Sequence, residues 1–358
     1  MNLFQDGLKS WLKRGTPERG VYQCFDFPMV LATDLGLLRK ENQDRVAALY
    51  TGKNSVNPVF VVAVADGMGG MREGAECANT AVSSFFFSLV QNRHLDTAAR
   101  AVVALEYAND EVYKIYKGHG GATLSAVIFD IDSNAHTVHI GDSRIYAFGI
   151  NKQVERHTVD DTLAEAVGGT ARELLQFVGM GPEIQVSTKM LSTVQPFCIV
   201  TTDGIHSLEE KTFFDILNNS HDPKQISERL SALSRWCGGV DNASSAIFNL
   251  ASIKDSIKTS FVSEIKVWDP YSELTFMWIK EEQPQLVKVP KANELQNSPA
   301  EIEEPEFKKS KTANSDSEKK RKTSPRKQKK PNEAGKAQLD IEIDIEDSLG
   351  GADSDSSQ

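Results

Sequence analysis

The stretch Phe60-Val-Val-Ala-Val-Ala-Asp-Gly-Met-Gly-Gly70 sets a continuous apolar run against an acidic, glycine-rich end. Six apolar residues without alternation read as a strand buried on both faces, and Asp66-Gly67 marks where it stops. The glycines superficially suit a phosphate loop, but their spacing is not G-x-G-x-x-G, and Asp66 would repel a phosphate unless a cation lay between them. The same ending recurs in His139-Ile-Gly-Asp142-Ser143, Thr201-Thr-Asp203-Gly204 and Gly239-Val-Asp241-Asn242. One such aspartate is ordinarily a turn residue. Four of them, if the strand ends converge, crowd several carboxylates together, and such a group stays ionised only when a cation neutralises it. Oxygen ligands without His or Cys favour a hard divalent ion, Mg²⁺ or Mn²⁺, and two such ions about 3.5–4 Å apart would activate a water for in-line attack on phosphorus.

Around this run, helix-like and strand-like patterns alternate from about residue 21 to 252. Ala75, Ala78, Ala81, Val82, Phe85, Phe86 and Leu89 recur at helical spacing, and 96–117 gives a second helix with Ala98, Val102, Leu105, Val112 and Tyr116 on one face. Strands are expected at Thr123–Phe129, Thr137–Ile140, Arg144–Phe148, Cys198–Thr202 and about Ser245–Leu250. Two more helices are expected near 209–218 and 223–236, the latter with Ile226, Leu230, Leu233 and Trp236 as its apolar positions. This grouping predicts an antiparallel α+β layering rather than βαβ alternation. Ile265–Trp268 and Leu274–Ile279, joined at Asp269-Pro270-Tyr271, resemble an added hairpin.

The net charge of −10 argues against a surface that tracks polyanions throughout. Cys24, Cys77, Cys198 and Cys237 form no C-x-x-C pair and no zinc spacing, so a reducing, cytoplasmic setting is expected. No stretch reaches the ~18–20 apolar residues of a membrane span, and the N-terminus lacks the core of a signal peptide. Leu3, Phe4, Leu8, Trp11 and Leu12 line one face of a short helix that reads as a docking element. The cysteine-phosphatase loop, G-x-S-x-G, H-E-x-x-H and Walker-A patterns are all absent.

Taken in order, Asp34-x-Gly36-x-x-Arg39-x-x-Asn42-Gln43-Asp44-Arg45, Ala65-Asp66-Gly67-Met68-Gly69-Gly70, Gly121-Ala122-Thr123-Leu124, Gly141-Asp142-Ser143-Arg144, Thr202-Asp203-Gly204-Ile205 and Asp241-Asn242 resemble the motifs of the metal-dependent type-2C Ser/Thr protein phosphatases. The resemblance covers about 32–250 and is nearest to bacterial members. It implies a four-layer α-β-β-α sandwich of two antiparallel sheets flanked by helices. It also implies hydrolysis of phosphoserine or phosphothreonine in a phosphoprotein substrate, by water activated at a binuclear Mg²⁺ or Mn²⁺ centre. Asp66 would bridge two metals, the Gly67 carbonyl would complete one of them, and Asp203 and Asp241 would hold the other. Asp142 with Asp203 matches a weaker third-metal site. Asp44 would orient metal-bound water, and Arg39 would hold the substrate phosphate bidentately. Thr158–Gly181 stands where the family has a mobile flap, with Gly168-Gly169 and Gly179-x-Gly181 as hinges or as ordinary loop punctuation.

The chain departs from that pattern in places. Gln43 stands where the family usually has Glu, which removes a charge beside the second metal. Met68 replaces a frequent histidine, and Asp160-Asp161-Thr162 replaces Asp-His-Ser. His206 reads as a capping or surface residue rather than a substitute acid. The chain therefore divides into an N-terminal extension (1–20), a catalytic domain (21–252), the added hairpin (253–283) and a disordered tail (284–358). Within the tail, a basic block at 308–330 precedes an acidic one, so the 308–358 region could meet a protein or nucleic-acid partner. Two alternatives follow: a pseudophosphatase that only binds, and an adaptor acting through its tail.

Overall fold

The computed structural model describes residues 3–68, 73–132, 134–170, 173–220 and 222–277. The tail expected beyond 284 lies outside the described residues, as do Gly69 and Gly70.

The chain opens with helix α1 (Leu3–Leu12) and strands β1 (Arg19–Cys24), β2 (Met29–Asp34), β3 (Arg45–Tyr50) and β4 (Phe60–Ala65). Helices α2 (Gly74–Gln91) and α3 (Thr97–Tyr116) follow, then β5 (Leu124–Phe129), β6 (Ala135–Ile140), β7 (Arg144–Phe148) and β8 (Val154–Arg156). After α4 (Leu163–Val167) come β9 (Ser187–Met190), β10 (Phe197–Thr201), α5 (Asp203–His206), α6 (Glu210–Asn218) and α7 (Pro223–Trp236). The described chain closes with β11 (Ala243–Asn249), α8 (Leu250–Thr259), β12 (Ile265–Trp268) and β13 (Glu273–Phe276).

Two wholly antiparallel sheets result, ordered β1-β2-β11-β10-β7-β8 and β13-β12-β3-β4-β5-β6-β9. The continuous apolar run of β4 is explained by burial on both sides. Phe60, Val62 and Val64 pack between the sheets with Phe129, Val200, Phe248 and Trp268. Val61, Ala63 and Ala65 face the opposite way, against α2 and α3. A third cluster sets Tyr146, Ile199 and Ile247 against Ile205, Phe213, Ile226 and Leu230 of α5, α6 and α7. Helix, sheet, sheet and helix thus form four layers, as the resemblance implies.

Helix α1 docks as expected: Leu8 and Leu12 are buried, and the Phe4 ring meets Phe276 with centroids 4.6 Å apart. The hairpin continues the seven-stranded sheet through β12–β3 pairing. Three local expectations are corrected. On α7 the inward face is Ile226, Ser227, Leu230, Ser231 and Ser234, whereas Trp236 is 87% exposed. The serines are needed there: Ser231 donates to Asp34 and Ser234 to the Gly204 carbonyl. On α3 the buried line runs through Arg100, Ala101, Ala104, Leu105, Ala108, Asn109 and Val112, rotated away from Ala98 and Val102. Buried Arg100 is accommodated by donating to the Leu89 and Asn57 carbonyls. Finally, α8, capped by Asn249 accepting from the Ser252 amide, has no counterpart in the sequence reading.

Candidate active site

Strand register brings the chemistry to one end of the sandwich. In the six-stranded sheet Asp34 pairs with Ala243, and Thr201 pairs with both Ser245 and Arg144. In the seven-stranded sheet Arg45 pairs with Ala65, and Leu124 with Ile140. Asp44, Asp66, Asp142, Asp203 and Asp241 lie one or two residues beyond these ends, so every predicted carboxylate comes to the same face.

The Asp66 amide donates to Thr123 Oγ1 at 2.9 Å, and the Thr123 amide returns a bond to the Asp66 carbonyl at 2.8 Å. Gly67 donates to the Gln43 carbonyl, and a Cβ there would lie 2.3 Å from the Gly74 carbonyl oxygen, so only glycine lets the loop pass this close to the start of α2. The Gln43 side chain lies against the same helix start, 2.9 Å from where a Gly74 Cβ would be. Asp203 opens α5, and Gly204 meets Asn242 so closely that a Cβ would stand 2.0 Å from its carbonyl oxygen. Asn242 in turn accepts from the Gln43 amide at 2.8 Å and donates to the Leu35 carbonyl, tying three loops together. Asp44 is buried and accepts from Thr202 Oγ1 at 2.9 Å.

The arginine loop has its own support. Asp34, 1% exposed, receives Arg235 at 2.8 Å, Arg19 at 2.8 Å, Ser231 and the Gly36 amide. Gly36 has φ +83°, and a Cβ would meet the Asp241 carbonyl oxygen at 2.4 Å. Arg39 then reaches Asp241, Nη2 to Oδ2, at 2.6 Å. Although burial alone would lower it, this bond and the charges of Asp241, Asp66 and Asp203 hold the guanidinium above its ordinary pKa.

The carboxylates repel one another. Burial, then the charges of Asp44, Asp203, Asp142 and Asp241, push Asp66 well above the usual carboxylate range. Asp44 is pushed up to about 7 by burial, with Asp203 and Asp241 adding to the shift. Asp142 also rises to about 7, through burial and then Asp203 and Asp160. Asp44 Oδ1 is buried without a hydrogen-bond partner. Excess negative charge, an all-oxygen donor set and an orphaned buried acceptor fit a hard cation. Among the described residues, no three Asp, Glu, His or Cys side chains are already set as a cage. The Asp241 oxygens are taken by Arg39 and by the Asn242 amide.

The departures from the motif find roles in the fold. Asp160 receives Arg144 at 2.6 Å and Arg156, Asp161 exchanges bonds with the Gly141 backbone beside Asp142, and Thr162 caps α4. His206 is buried rather than at the surface, with Nδ1 2.9 Å from Thr201 Oγ1. Of the four flap glycines, Gly168 and Gly169 have open space around them, whereas Gly179 and Gly181 are fixed by donating to Asn109 Oδ1. Thr123, Thr202, Asn242 and Asp34 position the site without having been singled out as site residues. Their only sequence trace is that they belong to the motifs quoted for the resemblance.

A family model described as protein phosphatase 2C matches residues 39–236. Protein phosphatase PhpP of Streptococcus pneumoniae is 28% identical over 247 residues, spanning 62% of this chain and 96% of that one. The solved catalytic domain of the serine/threonine phosphatase PstP, in complex with two manganese ions, superposes with a TM-score of 0.51 at 24% identity, covering 61% of this chain and 96% of its own. The S. agalactiae serine/threonine phosphatase gives 0.53 at 22% identity, with 62% and 98% covered. With that match spanning more than half of its length and laid over this carboxylate-lined end of the sandwich, the chain belongs to the protein phosphatase 2C family.

Proposed function

We propose that the chain is a Mg²⁺- or Mn²⁺-dependent phosphatase that removes phosphate from phosphoserine and phosphothreonine in proteins. The observation that carries this reading is the convergence of Asp44, Asp66, Asp142, Asp203 and Asp241 at one end of the sheets. Asp66 and the Gly67 carbonyl would hold one ion, Asp66, Asp203 and Asp241 the other, and Asp142 with Asp203 a third. Bound cations would supply Lewis-acid stabilisation of the phosphoryl oxygens and an acidified water.

The chain's own residues do the rest. Arg39 would hold the substrate phosphate, its planar fork suiting two phosphate oxygens, where a cation on Asp241 would take over the partner role that the guanidinium fills in this structure. Asp44, fixed through Thr202, orients the attacking water and accepts its proton at Oδ1. The Gln43 side chain lies beside Gly74 and adds no charge, which is the observation that favours a purely binding role as the second reading. Residues 21–252 would form the catalytic unit, with a phosphoprotein as substrate and the 308–358 region as the place for a further partner. Among the described residues no helix is long and apolar enough to cross a membrane. We assign a cytoplasmic setting from the thiols Cys24, Cys198 and Cys237.

The test is phosphate release from a phosphothreonine peptide by the full-length chain, with Mn²⁺ and with chelator. Release that needs the metal and is lost in Asp203→Ala supports the proposal; metal-independent release, or none, refutes it.

A further inference from the structure

The two loops that carry Arg39 and Asp241 also carry an apolar surface that the phosphatase chemistry does not use. Leu37 is 54% exposed, Leu38 69%, Trp236 87% and Val240 62%. They are not scattered. The Leu37 and Leu38 amides both donate to the Gly239 carbonyl, at 2.7 and 3.3 Å, so the segments 36–39 and 236–241 are tied together. Leu37 packs on Gly239, where a Cβ would stand 2.9 Å from Leu37 Cγ. Gly238 and Gly239, with φ of +111° and +52°, turn the chain straight from Trp236 at the end of α7 to Val240. The Arg39–Asp241 contact at 2.6 Å closes the same pair of loops. Leu38 therefore immediately precedes the arginine, and Val240 immediately precedes its partner.

An exposed tryptophan grouped with three exposed aliphatic residues is the kind of patch that marks a contact surface. Its continuity with Arg39 says which contact. We propose that Leu37, Leu38, Trp236 and Val240 form the substrate-docking surface, accepting a bulky apolar side chain close in sequence to the phosphorylated residue of a phosphoprotein. This rests on the reading of Arg39 as the phosphate-holding group. Leu38 adjoins Arg39 and Val240 adjoins Asp241, so the patch borders the phosphate-holding group, and an extended substrate advancing about 3.3 Å per residue would meet it with residues that flank the phosphorylated one. The surface sets specificity rather than chemistry, because all four side chains are apolar and exposed and none carries a group that can bind a cation or move a proton.

The experiment compares two phosphothreonine peptides, one with Leu two residues to either side of the phosphothreonine and one with Ser there, using the full-length chain with Mn²⁺. The Leu peptide should have at least tenfold higher kcat/KM, expressed mainly in KM. In the double variant Leu38→Ser/Trp236→Ser that ratio should fall below threefold. Both side chains are exposed, so the variant should keep its thermal unfolding midpoint. Independently of turnover, a phosphonate analogue of the Leu peptide should shift the tryptophan emission of the wild type to shorter wavelength, with Trp236→Phe lacking the shift. Equal rates on the two peptides, or a ratio unchanged in the variant, overturn the proposal. So does concentration-dependent dimerisation abolished by the double variant without a peptide-dependent emission shift, since the patch would then belong to a second copy. Emission shifts without phosphate release would uphold the docking surface while removing the phosphatase reading, and neither signal would remove both.

Discussion

Stripping the cations should make this protein more stable as the pH falls from 8 to 6. Asp44 is 3% exposed, and its pKa stands at about 7 against an ordinary value of 3.8. Between those two values the folded chain binds a proton that the unfolded chain has released, so folding is penalised above pH 7 and the penalty is relieved as pH drops toward 4. For a group titrating at about 7 when folded, the interval from pH 8 to 6 contributes about 1.4 kcal/mol, or a rise in Tm of roughly 3–6 °C for a domain of this size. Asp142 acts in the same direction but shares Asp203 as a neighbour, so the two contributions are not simply summed. His139 and His157 act oppositely: burial holds both below 6.5, and the unfolded chain gains their protons as the pH falls. Comparing wild type with Asp44→Asn cancels the histidines. In chelator, calorimetric unfolding at pH 8 and pH 6 should show the difference between the two proteins changing by about 1.4 kcal/mol, with the variant gaining more at pH 8. With saturating Mn²⁺ the change should shrink, because the cation keeps the carboxylates ionised. A wild-type-to-variant difference that is independent of pH in chelator would refute the electrostatic account of the site.

Thr123→Val removes the acceptor of the Asp66 amide and should lower stability by about 1–3 kcal/mol, read from the urea midpoint, with a parallel loss of Mn²⁺ affinity. Gln43→Glu restores a charge beside Gly67 and should tighten the weaker Mn²⁺ site about tenfold in a calorimetric titration, equivalent to about 1.4 kcal/mol. Asp34→Ala strands Arg235 beside a buried space and should cost about 3 kcal/mol in chemical denaturation, far more than an exposed acid would.

The sequence carried the layering because its strands are short, dense and bounded by Asp-Gly turns, and burial on both faces left β4 no polar alternation. It brought Asp66, Asp142, Asp203 and Asp241 forward as candidates because each stands at the end of an apolar strand, whereas Asp44 came only from the resemblance. What it hid depends on contacts distant along the chain. Arg39 and Asp241 meet across 202 positions, and Asp34 is held by Arg235 across 201. Neither pairing leaves a local pattern. Helical periodicity placed α7 but not its orientation, because the inward serines answer to Asp34 and Gly204 rather than to hydrophobicity. Short β8 and β9, partly exposed throughout, show neither alternation nor an apolar run. The resemblance implied Arg39 as a phosphate ligand; it did not reveal that the same guanidinium pairs with Asp241.

The central claim is that aspartates from four strand ends hold divalent cations, with Asp66 shared between two of them. Calorimetric titration of the chelator-stripped, full-length chain with Mn²⁺ tests it most directly. Two tightly bound ions per chain for the wild type, besides any weaker third at Asp142 and Asp203, with both tight sites weakened in Asp66→Asn, is the predicted result; an isotherm unchanged by that substitution, or no Mn²⁺ binding at all, would contradict it.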